Sequence, residues 1–237
     1  LWIGGSTHVV QVGDILDGGD RTGKSPAGAA ASERKILKYL LSLRREAEEY
    51  NGYVHILLGN HELMNVAGDF RYVSPSGLAE YKGWEGRRRA YRPGGRSAKL
   101  LACKANSVVQ IGSWVFSHAG ITPHISSTYN LETVNTLVRE YLLGNREFED
   151  GLRDMFWHRS YDSEEACPII NGALARWKAR NMAIGHTVQS GGITSLCSGG
   201  LWKVDVGLST AFGVNRKIEV LEILNDGKTP NDIRVLS

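Results

Sequence analysis

Between residues 8 and 59 the chain places an apolar run, an amphipathic helix and a second apolar run, and no other stretch constrains the fold as much. "HVVQV" (8–12) has the length and composition of a buried strand. "SERKILKYLLSLRREAEEY" (32–50) follows as a helix. Ser32 supplies its cap, and Ile36, Leu37, Leu40 and Leu41 trace one stripe at helical spacing. Asn51-Gly52 ends it, and "YVHILLG" (53–59) reads as a second buried strand. Two strands joined through a helix run parallel, because the connection must carry the chain back to the same end. An α/β fold is therefore expected.

The remainder supports a layered α/β domain. "SVVQIGSWVFSHAG" (107–120) contains two strand-like pieces about Gly112-Ser113, a hairpin signal. "NLETVNTLVREYLLG" (130–144) is a helix stopped by Gly144. The last third returns to strands: "MAIGHT", "ITSLCS", "LWKVDVG", "KIEVLEIL" and "DIRVLS". "GWEGRRRAYRPGGR" (83–96) is basic and glycine-rich, the composition of a solvated loop. A sharper use for its charge is to attract an anionic phosphoprotein. Residues 1–237 are expected to form a single domain.

Bulk properties exclude several classes. Net charge is +3 with one tyrosine among the basic residues of 87–96, too little for a nucleic-acid interface. No apolar run approaches the roughly 18 residues that span a membrane. Cys103, Cys167 and Cys197 lie far apart without a C-x-x-C pair, so neither a disulfide framework nor a zinc knuckle is expected. A reducing, intracellular location (cytoplasm or organelle) follows as an expectation. The chain begins at Leu1 rather than Met, so a truncated chain without its targeting segment is expected.

Chemistry concentrates at four strand ends. "QVGD" (11–14), "LLGNHE" (57–62) and "AIGHT" (183–187) each pass from an apolar run through glycine into a potential metal ligand. "WVFSHAG" (114–120) does so with Ser117 near the glycine's place. Asp14, Asn60, His118 and His186 would thus stand at strand ends, where open α/β sheets form their sites. This mixed oxygen and nitrogen set suits Mn, Fe or Zn better than Ca or Mg alone.

One rival motif overlaps the first of these. Gly18, Gly23, Lys24 and Ser25 match G-x-x-x-x-G-K-[ST], a nucleotide phosphate loop. Such a loop runs straight into a helix. Here Pro26, Gly28 and a run of alanines intervene before Ser32, which argues against a nucleotide site.

In order, "GDILDGG", "GNHE", "SHAG" and "GHT" resemble the phosphoprotein phosphatase superfamily within the calcineurin-like metallophosphoesterases. "VVQVGDILD", "GNHELMN", "GHTVQ" and "VDVGLSTAFG" are most similar to the Shewanella-like protein phosphatases. The resemblance extends from about Gly4 to Gly213. It implies a sandwich of two central β-sheets flanked by helices. It implies two divalent metal ions and hydrolysis of phosphomonoesters by a metal-bound hydroxide on a phosphoprotein substrate. Asp14 resembles the carboxylate that bridges both ions, and Asn60, His118 and His186 resemble the other ligands of the second. His61 resembles the general acid, and Asp17 the residue that orients it. Glutamate in "GNHE", where dinucleotide-cleaving relatives carry aspartate, and the tail "GHTVQ…VDVGLS" set those relatives aside.

The sequence departs from the pattern twice. The family's G-D-x-H-G, whose Asp and His complete the first metal site, is not among these residues. The chain is therefore expected to lack its N-terminal strand and to hold the second site alone in full. Gly18 also stands where the family has a phosphate-clamping arginine. Arg159, and after it Arg21, are the candidates to bind the phosphate instead. A second reading follows: an impaired or fragmentary pseudophosphatase that binds phosphorylated partners without turnover.

Overall fold

The computed structural model describes residues 1–19, 32–212 and 217–237. Arg21 and most of the 18–25 phosphate-loop match lie outside them. Two compact units emerge: residues 1–107 with 135–148, and residues 108–134 with 149–237.

The first unit begins with β1 (His8–Gln11), α1 (Glu33–Glu48) and β2 (Tyr53–Ile56). The strands pair in parallel, His8 opposite Tyr53 and Gln11 opposite Ile56, as the crossover requires. Ser32 caps α1 by accepting the Lys35 N–H, and Asn51 leaves the helix at φ +59°. Arg44 ties the helix back to β2 through a 2.6 Å bond from Nε to the Val54 carbonyl. Leu57 extends β2 by one isolated parallel bridge to Asn106. Then come α2 (Asn60–Val66), α3 (Pro75–Ala79), α4 (Trp84–Tyr91) and α5 (Arg96–Lys104). Val54, Ile56, Leu57 and Leu58 are buried, as are Leu63 and Val66 of α2 and Leu101 of α5. Along β2 burial alternates, with Val54 and Ile56 buried and Tyr53 and His55 partly exposed.

The expected loop at 83–96 is instead two helices, α4 and α5, divided at Pro93-Gly94. The composition concealed them. Gly83 and Gly95 are their N-caps, and only Gly86 lies inside a helix. On α4, Arg87 is turned inward and fully buried while Arg88 and Arg89 face solvent.

The second unit carries β3 (Val108–Ile111), β4 (Trp114–Ser117), α6 (Pro123–Thr128), α8 (Asp154–Trp157), α9 (Cys167–Arg176), β5 (Asn181–Ile184), β6 (Thr194–Leu196) and β7 (Leu201–Lys203). Helix α7 (Leu131–Leu143) precedes α8 in the chain. The five strands form one mixed sheet in the order β3-β4-β5-β7-β6. β3 and β4 make the expected hairpin, with Gly112 at φ +56° supplying the left-handed turn. β4, β5 and β7 run parallel at the centre, and every residue of β4 is buried. Trp114, Met155, Phe156, Ile170 and Met182 fill the core beside them. β8 (Val220–Ile223) and β9 (Ile233–Leu236) add an antiparallel hairpin, anchored by the 2.8 Å bond from the Ser113 N–H to Asp226. The α/β class and mixed sheets agree with the sequence reading.

Cys167, at the start of α9, forms a disulfide with Cys197 in the turn between β6 and β7. The expectation of no disulfide is corrected here. The partners are 30 residues apart with no motif between them, so only tertiary placement brings them together. Cys103 is a free, exposed thiol. Among the described residues no helix is long and apolar enough to cross a membrane.

Candidate metallophosphoesterase site

Each predicted ligand lies just past the carboxyl end of a strand. In the first unit Asp14 follows β1 and Asn60 opens α2 after β2. In the second, His118 follows β4 directly and His186 stands two residues past β5. Because β1 pairs parallel to β2, and β4 to β5, both members of each set emerge at the same end of their pair. Asp14, Asp17 and His186 also hold left-handed backbones, φ +57°, +61° and +63°. Asp and His tolerate this region better than most residues, and such conformations gather where function over-determines the chain.

Asp14 is held from both sides. Its Oδ1 accepts the His61 N–H at 3.1 Å, and its own N–H reaches Glu62 Oε2 at 2.9 Å. Glu62, fully buried, also accepts from Leu16 (2.9 Å) and Gly59 (2.7 Å). One carboxylate therefore ties the loop after β1 to the start of α2. The loop passes so close that a Cβ on Gly59 would collide with the Asp14 carboxylate. That contact explains the glycine of "GNHE".

Asp17 and His61 form the second feature of this unit. His61 Nδ1 lies 2.8 Å from Asp17 Oδ2, and Asp17 is buried. Burial pulls the imidazole down. The hydrogen bond to Asp17 and the charges of Asp14, Asp17 and Glu62 outweigh it and hold His61 above the ordinary histidine range. Behind Asp17 lies a buried polar cluster absent from the sequence reading. Asn65 donates to Asp17 Oδ2 at 3.1 Å and to the His61 carbonyl at 2.9 Å. Arg87 Nη2 lies 3.2 Å from Asp17 Oδ1, Nη1 lies 2.9 Å from Glu33 Oε2, and Nε donates to Asn65 at 2.7 Å. Burial pushes the Glu33 carboxyl up; Arg87 opposes the rise and Asp17 adds to it.

In the second unit both imidazoles are buried, and His118 Nε2 lies 3.1 Å from His186 Nδ1. Two nitrogens held about 2.0–2.1 Å from one tetrahedral cation would lie about 3.3 Å apart, so the pair suits a shared ion. The Gly185 N–H to His118 carbonyl bond, 2.9 Å, fixes the two strand ends together. Arg159 reaches this pair, donating from Nη1 to the His186 carbonyl at 2.9 Å. Neighbouring His158 packs against the Tyr161 ring at 4.3 Å, and burial lowers its pKa against a weaker pull upward from Asp154.

The donor sets fit divalent metals. The first unit offers the Asp14 carboxylate and the Asn60 amide, the second the two imidazoles, and all four are at least half-buried.

Comparison with known proteins agrees. Residues 4–230 match the calcineurin-like phosphoesterase family. The Shewanella-like protein phosphatase 2 of Arabidopsis thaliana is 33% identical over 95% of this chain and 68% of its own length. An uncharacterized protein of Schizosaccharomyces pombe is 32% identical over 92% of the chain and 66% of its length. A cold-active protein tyrosine phosphatase from a psychrophilic Shewanella superposes with a TM-score of 0.66 at 22% identity, over 95% of this chain and 66% of that one. The chain thus spans about two thirds of the length of these relatives. On its fold and its sequence, this chain belongs to the calcineurin-like phosphoesterase family.

Proposed function

We propose that the protein is a metal-dependent phosphoprotein phosphatase that hydrolyses phosphomonoesters. The observation that carries this reading is the pairing of His61 Nδ1 with the buried Asp17 carboxylate at 2.8 Å, one residue after Asn60. With Nδ1 committed to Asp17, Nε2 is the nitrogen left to serve a leaving oxygen. An alkoxide or phenoxide expelled from phosphorus needs a proton, and an imidazole held by a carboxylate supplies it. The hydrogen bond to Asp17 and the neighbouring carboxylates raise the His61 pKa, the direction a proton donor needs.

Asp14, Asn60, His118 and His186 are the residues that would hold divalent metal. Such ions lower the pKa of a bound water and clamp the phosphoryl oxygens. Glu62 fixes Asp14, while Arg159 offers a guanidinium beside His186 for the phosphate oxygens. Relatives named as protein phosphatases support a phosphoprotein substrate, and manganese, iron or zinc suits the donors.

A second reading is favoured by one feature, the absence of a side chain at Gly18. A pseudophosphatase would bind phosphorylated partners without turnover. Hydrolysis of phenyl phosphate by the full-length protein, with manganese and with chelator, separates the two. Chelator-sensitive turnover supports the phosphatase. Binding of inorganic phosphate without turnover under manganese, iron and zinc in turn supports the second reading.

A further inference from the structure

Arg87 is a charged side chain with no exposed surface, which demands a reason, since an unpaired buried guanidinium is strongly unfavourable. Its partners are unusually complete. Nη2 meets Asp17 Oδ1 at 3.2 Å, Nη1 meets Glu33 Oε2 at 2.9 Å and the Gly77 carbonyl at 3.0 Å, and Nε meets Asn65 Oδ1 at 2.7 Å. The rings of Phe70, Tyr81 and Tyr91 surround the guanidinium at 6.0, 5.4 and 5.1 Å from their centroids. Asp17 divides its two oxygens: Oδ1 serves Arg87 and Oδ2 serves His61. Asn65 bridges the two halves, accepting from Arg87 while donating to Asp17 and to the His61 carbonyl. Glu33 closes the ring by accepting the Asp17 N–H at 2.7 Å.

We propose that Arg87 is a positioning residue for the acid step, fixing the Asp17 carboxylate so that Asp17 in turn aims His61. The inference rests on the reading of His61 as general acid. A carboxylate with one oxygen gripped by a rigid guanidinium cannot rotate away from an imidazole at its other oxygen. The planar fork is what makes this possible. It reaches Asp17, Asn65, Glu33 and Gly77 in four directions, whereas an ammonium at that depth would serve fewer partners. Arg87 touches neither substrate nor proton.

The test exploits leaving groups. A good leaving group such as 4-nitrophenolate needs little proton assistance, and phenolate needs more. Arg87→Gln is assayed in the full-length protein with manganese on phenyl phosphate and 4-nitrophenyl phosphate at saturation. We expect kcat to fall about 10²-fold on the first and under about tenfold on the second. Both rates come from one sample, so their ratio does not depend on the fraction folded. Arg87→Lys serves the same ratio if the glutamine variant is insoluble, with an intermediate loss. Added to His61→Ala, the arginine change should cost less than about a further twofold, because both act through one step. Equal losses on the two esters, or losses that multiply with His61→Ala, would overturn the role. If His61→Ala itself lacks the leaving-group dependence, the acid reading falls and takes this inference with it. If His61→Ala shows it and Arg87→Gln does not, only Arg87 is misassigned.

Discussion

Glu62 Oε2 accepts the Asp14 N–H at 2.9 Å, so the residue that ends "GNHE" holds the residue that ends "VGD". The same buried carboxylate takes the N–H groups of Leu16 and Gly59. Glu62→Gln keeps the shape but turns an amide NH2 toward N–H donors. A buried donor left without an acceptor costs about 1–3 kcal/mol. The variant should therefore lose about 2–3 kcal/mol in urea unfolding, and its turnover should fall as Asp14 drifts. Wild-type stability with wild-type turnover would show that the loop is held by other means.

Gly18 stands where the resemblance places an arginine, and the described residues leave space for a Cβ there. A Cβ built there meets no described atom within 4 Å, and the backbone is outside the left-handed region. Gly18→Arg should lower KM for phenyl phosphate about tenfold, through a charge-assisted contact worth about 1.4 kcal/mol. A steady-state titration checks it, and an unchanged or raised KM would mean the guanidinium cannot reach the phosphate.

His55 on β2 offers a pH signature of its own. Burial, the facing His8 ring nitrogen at 3.1 Å and the Arg44 guanidinium hold its pKa down to about 4, from 6.5. The folded state thus resists a proton that the unfolded chain accepts. The contribution is complete above pH 6.5 and is lost as pH falls toward 4. The ring is partly exposed, so screening reduces the loss to about 1 kcal/mol. Urea midpoints at pH 7 and pH 5 should differ by less in His55→Asn than in the wild type. An equal difference would place the acid sensitivity elsewhere.

The candidate ligands were legible because each shows the same local syntax, an apolar run, a glycine or small residue, and a donor. "GNHE" and "GHT" reveal that syntax without tertiary information. The support behind them was not legible. "RRR" at 87–89 gives three equal charges, and only the phase of α4 decides that Arg87 points inward. Asn65 looks like any polar residue at the end of a short helix until Asp17, three residues past Asp14, is brought beside it. The Cys167–Cys197 pair was hidden for the same reason, since both positions are set by the packing of α9 and the β6–β7 turn. Local pattern marks the candidates for the chemistry, while partners chosen by tertiary packing leave no trace in spacing.

In the proposed mechanism His61 donates a proton and does not bind metal. The most direct measurement is the hydrolysis of phenyl phosphate by His61→Ala in the full-length protein, with manganese content determined on the same sample. In this variant kcat should fall by about 10²–10⁴-fold with metal content equal to wild type. Turnover near the wild-type value, or a loss of manganese that parallels the loss of turnover, would contradict it.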